Sequence, residues 1–339
     1  MAPRTKVLVV DDSAFARKVV RECLTVAGLE VVGIARDGLE ALEKINELKP
    51  DVITLDMVMP NLDGMGVLKA LAGRASPRVV VVSMSDSDSM LGMAALQHGA
   101  FDVVHKPTAL AVSQLYEIGE KLAAAVRAAA AAIPRTAAVA STLPPQTRQN
   151  TDRELVVIGT STGGPQALTK LICALPADFP VPIAIVLHIP PGYTAALAQR
   201  LDDACRLEVV EGSDGVVFKK GRVVVARAGR HLTLSRVDGA LVGGLALQPL
   251  DTQHRPSVDV LFQSAAQVVG ARTLAVVLTG MGDDGLIGSK AIKDAGGTIL
   301  TEAASSCVVY GMPRMVAEAG LSSGEAPIEQ MLEEIIRFL

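Results

Sequence analysis

Three stretches in the second half of this chain carry side chains whose types and spacing suit acyl chemistry. The first is Leu155-Val156-Val157-Ile158-Gly159-Thr160-Ser161-Thr162-Gly163-Gly164-Pro165. Its apolar run reads as a buried strand that breaks at glycine, and Gln166 to Leu175 then reads as a helix. Gly159-Thr160-Ser161-Thr162-Gly163 has the G-x-S-x-G spacing, in which small neighbours let a serine nucleophile stand exposed on a sharp turn. The competing reading is a glycine-rich loop that cradles a phosphate at a helix N-terminus. A phosphate loop of that kind wants a lysine after its glycines, and Pro165-Gln166 stand there instead.

The second stretch is the apolar run Ile183 to Leu187, followed by His188-Ile189-Pro190-Pro191-Gly192. A histidine at a strand end is more often structural than reactive, but beside a serine a neutral imidazole is the natural proton acceptor. The third is Thr273 to Leu278, ending in Thr279-Gly280-Met281-Gly282-Asp283-Asp284-Gly285, where either aspartate can orient the imidazole. The order Ser…His…Asp differs from the Ser…Asp…His of the α/β-hydrolases, so that fold is not expected. A rival base and acid lie in His254-Arg255-Pro256-Ser257-Val258-Asp259, where Ser257 also reads as a helix N-cap and Arg255 as a substrate or structural contact. His188 is preferred because it directly follows a strand, and His231 is read as structural.

A different chemistry is concentrated in the first half. Asp11 and Asp12 follow one apolar run, Asp56 another, Ser83 a third and Lys106 a fourth. Clustered carboxylates repel unless a hard divalent cation joins them, and Mg²⁺ favours one or two carboxylates with water and a phosphate. An aspartate beside such a cation can accept a phosphoryl group, with a lysine offsetting charge and a hydroxyl bonding the phosphate.

These groups need elements that bring them to one edge. In the first half, Val7 to Val10, Glu30 to Ala35, Val52 to Leu55, Val79 to Val82 and Phe101 to Val104 read as strands alternating with helical patterns. Gly28 and Gly99 sit where helices end. Such alternation predicts a parallel sheet with helices on both faces and ligands at the C-terminal strand ends. Leu115, Ile118, Leu122 and Val126 extend a last helix to about Ala132; Pro134 stops it, and a Pro, Ser, Thr, Gln and Asn stretch runs to Asp152 as a semi-rigid linker. The αβ rhythm then resumes. Leu207 to Leu247, with valine-rich runs broken by glycines, reads as hairpins inserted in a doubly wound sheet.

Composition narrows the partners. The 339 residues are 50% hydrophobic and 20% charged, which suits about two domains with substantial cores. A net charge of −4 and 3% aromatics without tryptophan argue against nucleic-acid binding. Mean hydropathy is +0.38, yet no apolar run reaches membrane-spanning length, so neither membrane insertion nor a signal peptide is expected. The four cysteines form no C-x-x-C and no metal spacing with histidine, which reads as a cytoplasmic protein with reduced thiols.

On Asp11, Asp12, Asp56-Met57-Val58-Met59-Pro60-Asn61-Leu62-Asp63-Gly64, Ser83 and Lys106-Pro107, the first domain resembles the response-regulator receiver family. The resemblance implies a flavodoxin-like fold with Asp56 as phosphoacceptor and Asp11, Asp12 and Asp56 around Mg²⁺. It also implies Ser83 and Lys106 on the phosphate, and a histidine kinase as donor. Val103 stands where many receivers carry an aromatic switch residue. The second domain resembles the chemotaxis protein-glutamate methylesterases (CheB). The resemblance rests on Gly159 to Gly164, His188 to Gly192, His254 to Phe262, Thr279 to Gly285 and Ala304-Ser305-Ser306-Cys307-Val308-Val309-Tyr310-Gly311-Met312-Pro313. It implies a Rossmann-like α/β domain with Ser161 as nucleophile, His188 as base and Asp284 as orienting acid. Thr162 and Met281 would form the oxyanion site. Thr160, Leu187 and Asp283 depart from the alanine, glutamine and asparagine common there.

The expected architecture is therefore α/β, with two doubly wound parallel-sheet domains. A receiver at 1–132 and a linker at 133–152 precede a catalytic domain with inserted hairpins at 153–339. The implied activity is hydrolysis of glutamyl methyl esters on methyl-accepting chemoreceptors, with deamidation of certain glutamines and no cofactor for the ester step. In the resembling family the unmodified receiver covers the catalytic cleft, and phosphorylation relieves it.

Overall fold

The computed structural model describes residues 5–73, 77–83, 89–105, 112–131 and 152–339. The chain divides near residue 135 into two compact units. The linker expected at 133–152 lies, apart from Asp152, outside the described residues.

The first unit alternates β1 (Lys6–Val10), α1 (Ala14–Val26), β2 (Glu30–Ala35), α2 (Gly38–Leu48), β3 (Val52–Leu55), α3 (Gly64–Leu71), β4 (Arg78–Ser83), α4 (Ser89–Gln97), β5 (Asp102–His105) and α5 (Val112–Ala131). Its five strands are parallel, in the order β2-β1-β3-β4-β5. Val7–Val10 of β1 and all of β3 are buried because helices cover both faces of the sheet. Local chemistry starts the helices: Ser13, Asp37 and Asp63 each accept a backbone N–H of the first turn of α1, α2 and α3. Strand order reverses between β1 and β3, and the crevice at such a switch point is where doubly wound sheets take ligands.

The second unit runs β6 (Leu155–Thr160), α6 (Gly164–Ala174), β7 (Ile183–Leu187), α7 (Tyr193–Ala204), β8 (Glu208–Glu211), β9 (Val216–Val217), β10 (Arg222–Val225), β11 (His231–Val237) and β12 (Ala240–Ala246). It continues through α8 (Val258–Val268), β13 (Thr273–Val277), α9 (Leu286–Asp294), β14 (Thr298–Glu302), α10 (Met312–Glu318), β15 (Gly324–Ala326) and α11 (Met331–Phe338). Seven parallel strands form one sheet in the order β15-β14-β13-β6-β7-β10-β8. The middle region is only partly hairpin. β11 and β12 pair antiparallel and carry β9 beside them, whereas β8 and β10 extend the main sheet. Their valine runs are short, so nothing local distinguishes a hairpin strand from a parallel one. Leu232, Leu234 and Leu241 of the small sheet join Val258, Leu261 and Phe262 of α8 in the core, which packs the insertion onto the seven-stranded sheet.

Sequence spacing suggested four reduced thiols, and two of them are not. Cys173, at the end of α6, and Cys205, which closes α7, form a disulfide across 32 residues. β6 and β7 are neighbours, so the helices that follow them run side by side and bring together cysteines with no motif spacing. Cys23 and Cys307 are free thiols. Among the described residues no helix is long and apolar enough to cross a membrane.

Candidate active site

The switch point of the second sheet lies between β6 and β13, and the reactive stretches emerge there. Thr160 pairs with Leu187 across β6 and β7, and the His188 N–H donates to the Thr160 carbonyl at 3.2 Å. Ser161 and His188 are thus the next residues beyond the last pair of two adjacent strands, about 4.8 Å apart by strand spacing. The Ser161 N–H and the Thr160 hydroxyl both donate to the Thr279 carbonyl, at 3.1 and 2.7 Å, which ties the serine turn to the loop after β13. Gly163 has φ +82°, and a side chain there would also meet Val308 at 2.5 Å. The turn after Ser161 therefore needs glycine on two counts.

Asp284 reaches this edge from the loop that precedes α9. Its Oδ2 lies 2.7 Å from His188 Nε2, and the two side chains are only 11% and 7% exposed. Three more donors converge on the same carboxylate: the Val258 N–H at 2.8 Å, the Asp259 N–H at 2.9 Å and the Ser257 hydroxyl at 2.9 Å. Ser257 is the N-cap of α8, so the carboxylate sits on that helix's N-terminus, where backbone donors and the helix dipole favour an anion. Burial opposes its ionisation, but the bond from His188, the imidazole's charge and the α8 amides outweigh that and hold Asp284 well below the usual carboxylate range. With Nε2 engaged, His188 Nδ1 is buried without a hydrogen-bond partner among the described residues, and is the nitrogen left to exchange a proton.

The arrangement is reciprocal. Asp259, in the first turn of α8, accepts the Gly285 and Gly288 N–H groups at 2.9 and 2.6 Å at the start of α9. Each acid thus holds the N-terminus of the other's helix. Asp259 is pushed up to about 6, by burial first and then by the negative charges of Asp284 and Asp283, against the bonds from Gly288 and Gly285.

His254, the expected alternative to His188, lies in the same cluster, as does His231, read from the sequence as structural. His254 stacks on His188 with ring centroids 3.8 Å apart. His231 is fully buried, and its Nδ1 accepts the Ser257 N–H at 3.2 Å while its Nε2 faces the Pro249 carbonyl at 3.0 Å. Burial holds its imidazole below the ordinary value, with the Arg255 charge acting in the same sense and the Pro249 bond opposing. The neutral ring keeps Ser257 in place, and Ser257 in turn holds Asp284. Thr162 and Met281 stand on the turns after β6 and β13, and among the described residues neither backbone N–H donates to a protein acceptor. Both are free to serve an oxyanion.

Several contributors gave little sequence signal. The Ser257 cap was legible, but its bond to Asp284 was not. Glu302, buried at the end of β14, accepts the Thr279 N–H and the Ser306 hydroxyl, both at 2.8 Å. The Thr279 hydroxyl donates to the Thr162 carbonyl and accepts the Val309 N–H, both at 3.0 Å. These bonds hold the turns that present Thr162 and Met281.

In the first unit, Asp11 and Asp12 follow β1 and Asp56 follows β3, at the switch point. Their carboxylate oxygens lie within 4.8 Å of one another. Arg17 donates to the Asp11 and Asp12 carbonyls at 2.7 and 2.9 Å, fixing the loop. A side chain at Gly64 would meet the Asp56 carbonyl at 2.5 Å, so glycine lets the following loop close on Asp56. Three close carboxylates are the donor set a hard cation such as Mg²⁺ takes. Ser83 ends β4, Val103 is buried in β5, and Lys106 lies outside the described residues.

Fold and site together are those of a two-unit α/β protein, a receiver-type sheet with an acidic edge followed by a doubly wound domain with a hydrolase-type edge. The family model described as CheB methylesterase matches residues 156–335, and that of the response regulator receiver domain matches residues 7–117. The chain is 59% identical over 333 residues to the Myxococcus xanthus protein-glutamate methylesterase/protein-glutamine glutaminase 5, covering 96% of each chain. It is 39% identical over 338 residues to the Thermotoga maritima protein-glutamate methylesterase/protein-glutamine glutaminase, covering 98% of each. The crystal structure of the Thermotoga maritima CheB methylesterase catalytic domain aligns with 55% of this chain and 99% of that domain, at 41% identity and TM-score 0.54. The chain belongs to the CheB methylesterase family, as an enzyme with a response regulator receiver domain ahead of its catalytic domain.

Proposed function

We propose that the chain hydrolyses glutamyl methyl esters on the cytoplasmic segments of chemoreceptors, and deamidates certain of their glutamines, under control of phosphorylation at Asp56. The observation that carries the catalytic part is the His188–Asp284 pair, held one strand over from Ser161 at the same register. Ser161 Oγ attacks the ester carbonyl while its proton passes to His188 Nδ1. The carbon–oxygen bond to methoxide then breaks, and His188 returns the proton so that methanol leaves. Water, deprotonated in turn by His188, releases glutamate and restores the serine. The Thr162 and Met281 amides stabilise the oxyanion, a contribution of about 10²–10³ in rate per donor. On a glutamine the same sequence releases ammonia.

Asp11, Asp12 and Asp56 would hold Mg²⁺, which offsets charge on a phosphoryl group as it transfers. Asp56 accepts that group from the phosphohistidine of a kinase, with Ser83 and Lys106 as phosphate contacts. The added charge shifts a two-state receiver toward the form that permits hydrolysis.

The test is methanol release from methylated receptor membranes by the full chain and by Ser161→Ala, each with and without a small phosphodonor. Release that falls by roughly 10³-fold or more in the variant, and rises with phosphodonor in the wild type, is the expected outcome. Retention of most activity by Ser161→Ala would refute the assignment.

A further inference from the structure

The catalytic edge does not end at His188. β10 lies beside β7, with Val225 opposite Ile185, and the Ala226 N–H donates to the Ile185 carbonyl at 2.8 Å. The turn that leaves β10, Arg227-Ala228-Gly229-Arg230, therefore emerges on the same edge as His188, one strand further from Ser161. Two bonds clamp it to the site: Gly229 N–H to the Arg255 carbonyl at 2.9 Å, and Ala228 N–H to the Thr194 hydroxyl at 3.3 Å. Arg255 is next in the chain to His254, the ring stacked on His188. Thr194 lies in α7, which begins just after the His188 loop.

Arg227 and Arg230 are exposed and line a cavity of about 410 Å³ with Asp214 and Leu245. Among the described residues neither guanidinium has an ion-pair or hydrogen-bond partner, and the Asp214 carboxylate already accepts the Leu245 N–H at 2.7 Å. Surface arginines elsewhere on this unit are of both kinds: Arg222 and Arg236 pair with Glu208 and Glu154, whereas Arg206 and Arg314 have no such partner among the described residues. The two guanidinium groups outnumber the Asp214 carboxylate in this cavity, so its lining is net positive in a chain of net charge −4.

We propose that this turn is a substrate-docking subsite, in which Arg227 and Arg230 take side-chain carboxylates of an acidic protein segment that carries the ester. The inference rests on the ester-hydrolase reading above and names the chemistry its substrate must have around the reacting residue. Two strand spacings put the turn roughly 10 Å from Ser161, the span of about two turns of a helical substrate. Guanidinium forks match carboxylates in geometry as well as charge. Each turnover also leaves a new carboxylate, so a segment with several esters docks better as its first ones are hydrolysed.

The experiment uses the full chain with phosphodonor and two helical peptides, each with one glutamyl methyl ester flanked one and two turns away by glutamates or by glutamines. A small neutral ester, p-nitrophenyl acetate, serves as control. The wild type is expected to favour the acidic peptide by about tenfold in kcat/KM, mostly through KM, with the preference shrinking as salt rises. Arg227→Glu with Arg230→Glu should abolish that preference and leave p-nitrophenyl acetate hydrolysis unchanged, which also shows that the variant is folded. If the charge reversal does not fold, Arg227→Gln with Arg230→Gln makes the same comparison. An acidic preference retained in the variant, or absent in a wild type that cleaves both peptides equally, overturns the subsite alone. A wild type that cleaves p-nitrophenyl acetate but neither peptide overturns the substrate reading and the subsite with it.

Discussion

The two sheets of this protein each gather carboxylates at a topological switch point, but they treat the charge in opposite ways. At the first edge Asp11, Asp12 and Asp56 bring like charges within 4.8 Å of one another, an arrangement that a cation from outside would stabilise. At the second edge Asp284 is met by an imidazole, a serine hydroxyl and two amides of α8. That anion is neutralised from within the chain. On the proposed function, one edge changes its charge state and the other keeps it. On that reading the same architecture supports a switch and a catalyst, and the difference lies in which donors the loops supply.

The comparison breaks most sharply at Asp284. Asp284→Asn keeps the size of the side chain but places an amide N–H₂ among groups that already donate, and no longer favours the Nε2-protonated imidazole. A fall in kcat of roughly 10³–10⁴-fold is expected, measured as methanol release. A variant within tenfold of wild type would mean that the internal neutralisation is unnecessary for catalysis.

The first edge is addressed by Asp56→Asn, which should lose the entire phosphodonor response while retaining basal hydrolysis. Chelation of divalent cations should act on the wild type in the same selective way. Basal hydrolysis abolished by the chelator would erase the distinction between the two edges.

Smaller effects sharpen the picture. Ser257→Ala removes both the N-cap of α8 and a donor to Asp284, so a loss of about 1 kcal/mol in stability is expected from denaturant unfolding, together with a lower kcat. Unchanged values for both would make the cap incidental. Asp259 gives the smallest and most specific signature. Its folded-state value is raised to about 6, so between about pH 4 and 6 the native state keeps a proton that the unfolded chain has released. Its contribution to stability is therefore fully present at low pH and falls as pH rises through that window. Asp259→Asn should flatten the slope and stabilise the protein at pH 7 by on the order of 1 kcal/mol, allowing for solvent screening of a partly exposed group. An unaltered slope would locate the acid-side titration elsewhere. Asp284 has the opposite sign: its contribution is present above the usual carboxylate range and is lost only as pH falls below it.

Much of the fold was legible because it is written locally. The β1, β3 and β6 runs are mostly apolar because both faces of a parallel sheet are covered, and Ser13, Asp37, Asp63 and Ser257 announce their helices through short-range capping. The strand-end position of Ser161, His188 and the Asp283-Asp284 pair could be read in the same way. The middle region was less legible, since the short runs of β8 and β10 match hairpin strands until the sheet they join is known.

By itself, the sequence determined which residues stand at strand ends, which turns require glycine and where acids cluster, because each depends on neighbours within a few positions. Only the tertiary structure decided what those residues meet. Sequence spacing could not reveal that Asp284 rather than Asp283 reaches the imidazole, or that His231 supports Ser257 from 26 residues away. Nor could it show that Cys173 and Cys205 join α6 to α7, or that the Arg227–Arg230 turn shares the edge that carries His188. The physical reason is the same throughout. Strand order and register place distant loops side by side, and hydrogen bonds and charges act over a few ångströms of space whatever their separation along the chain.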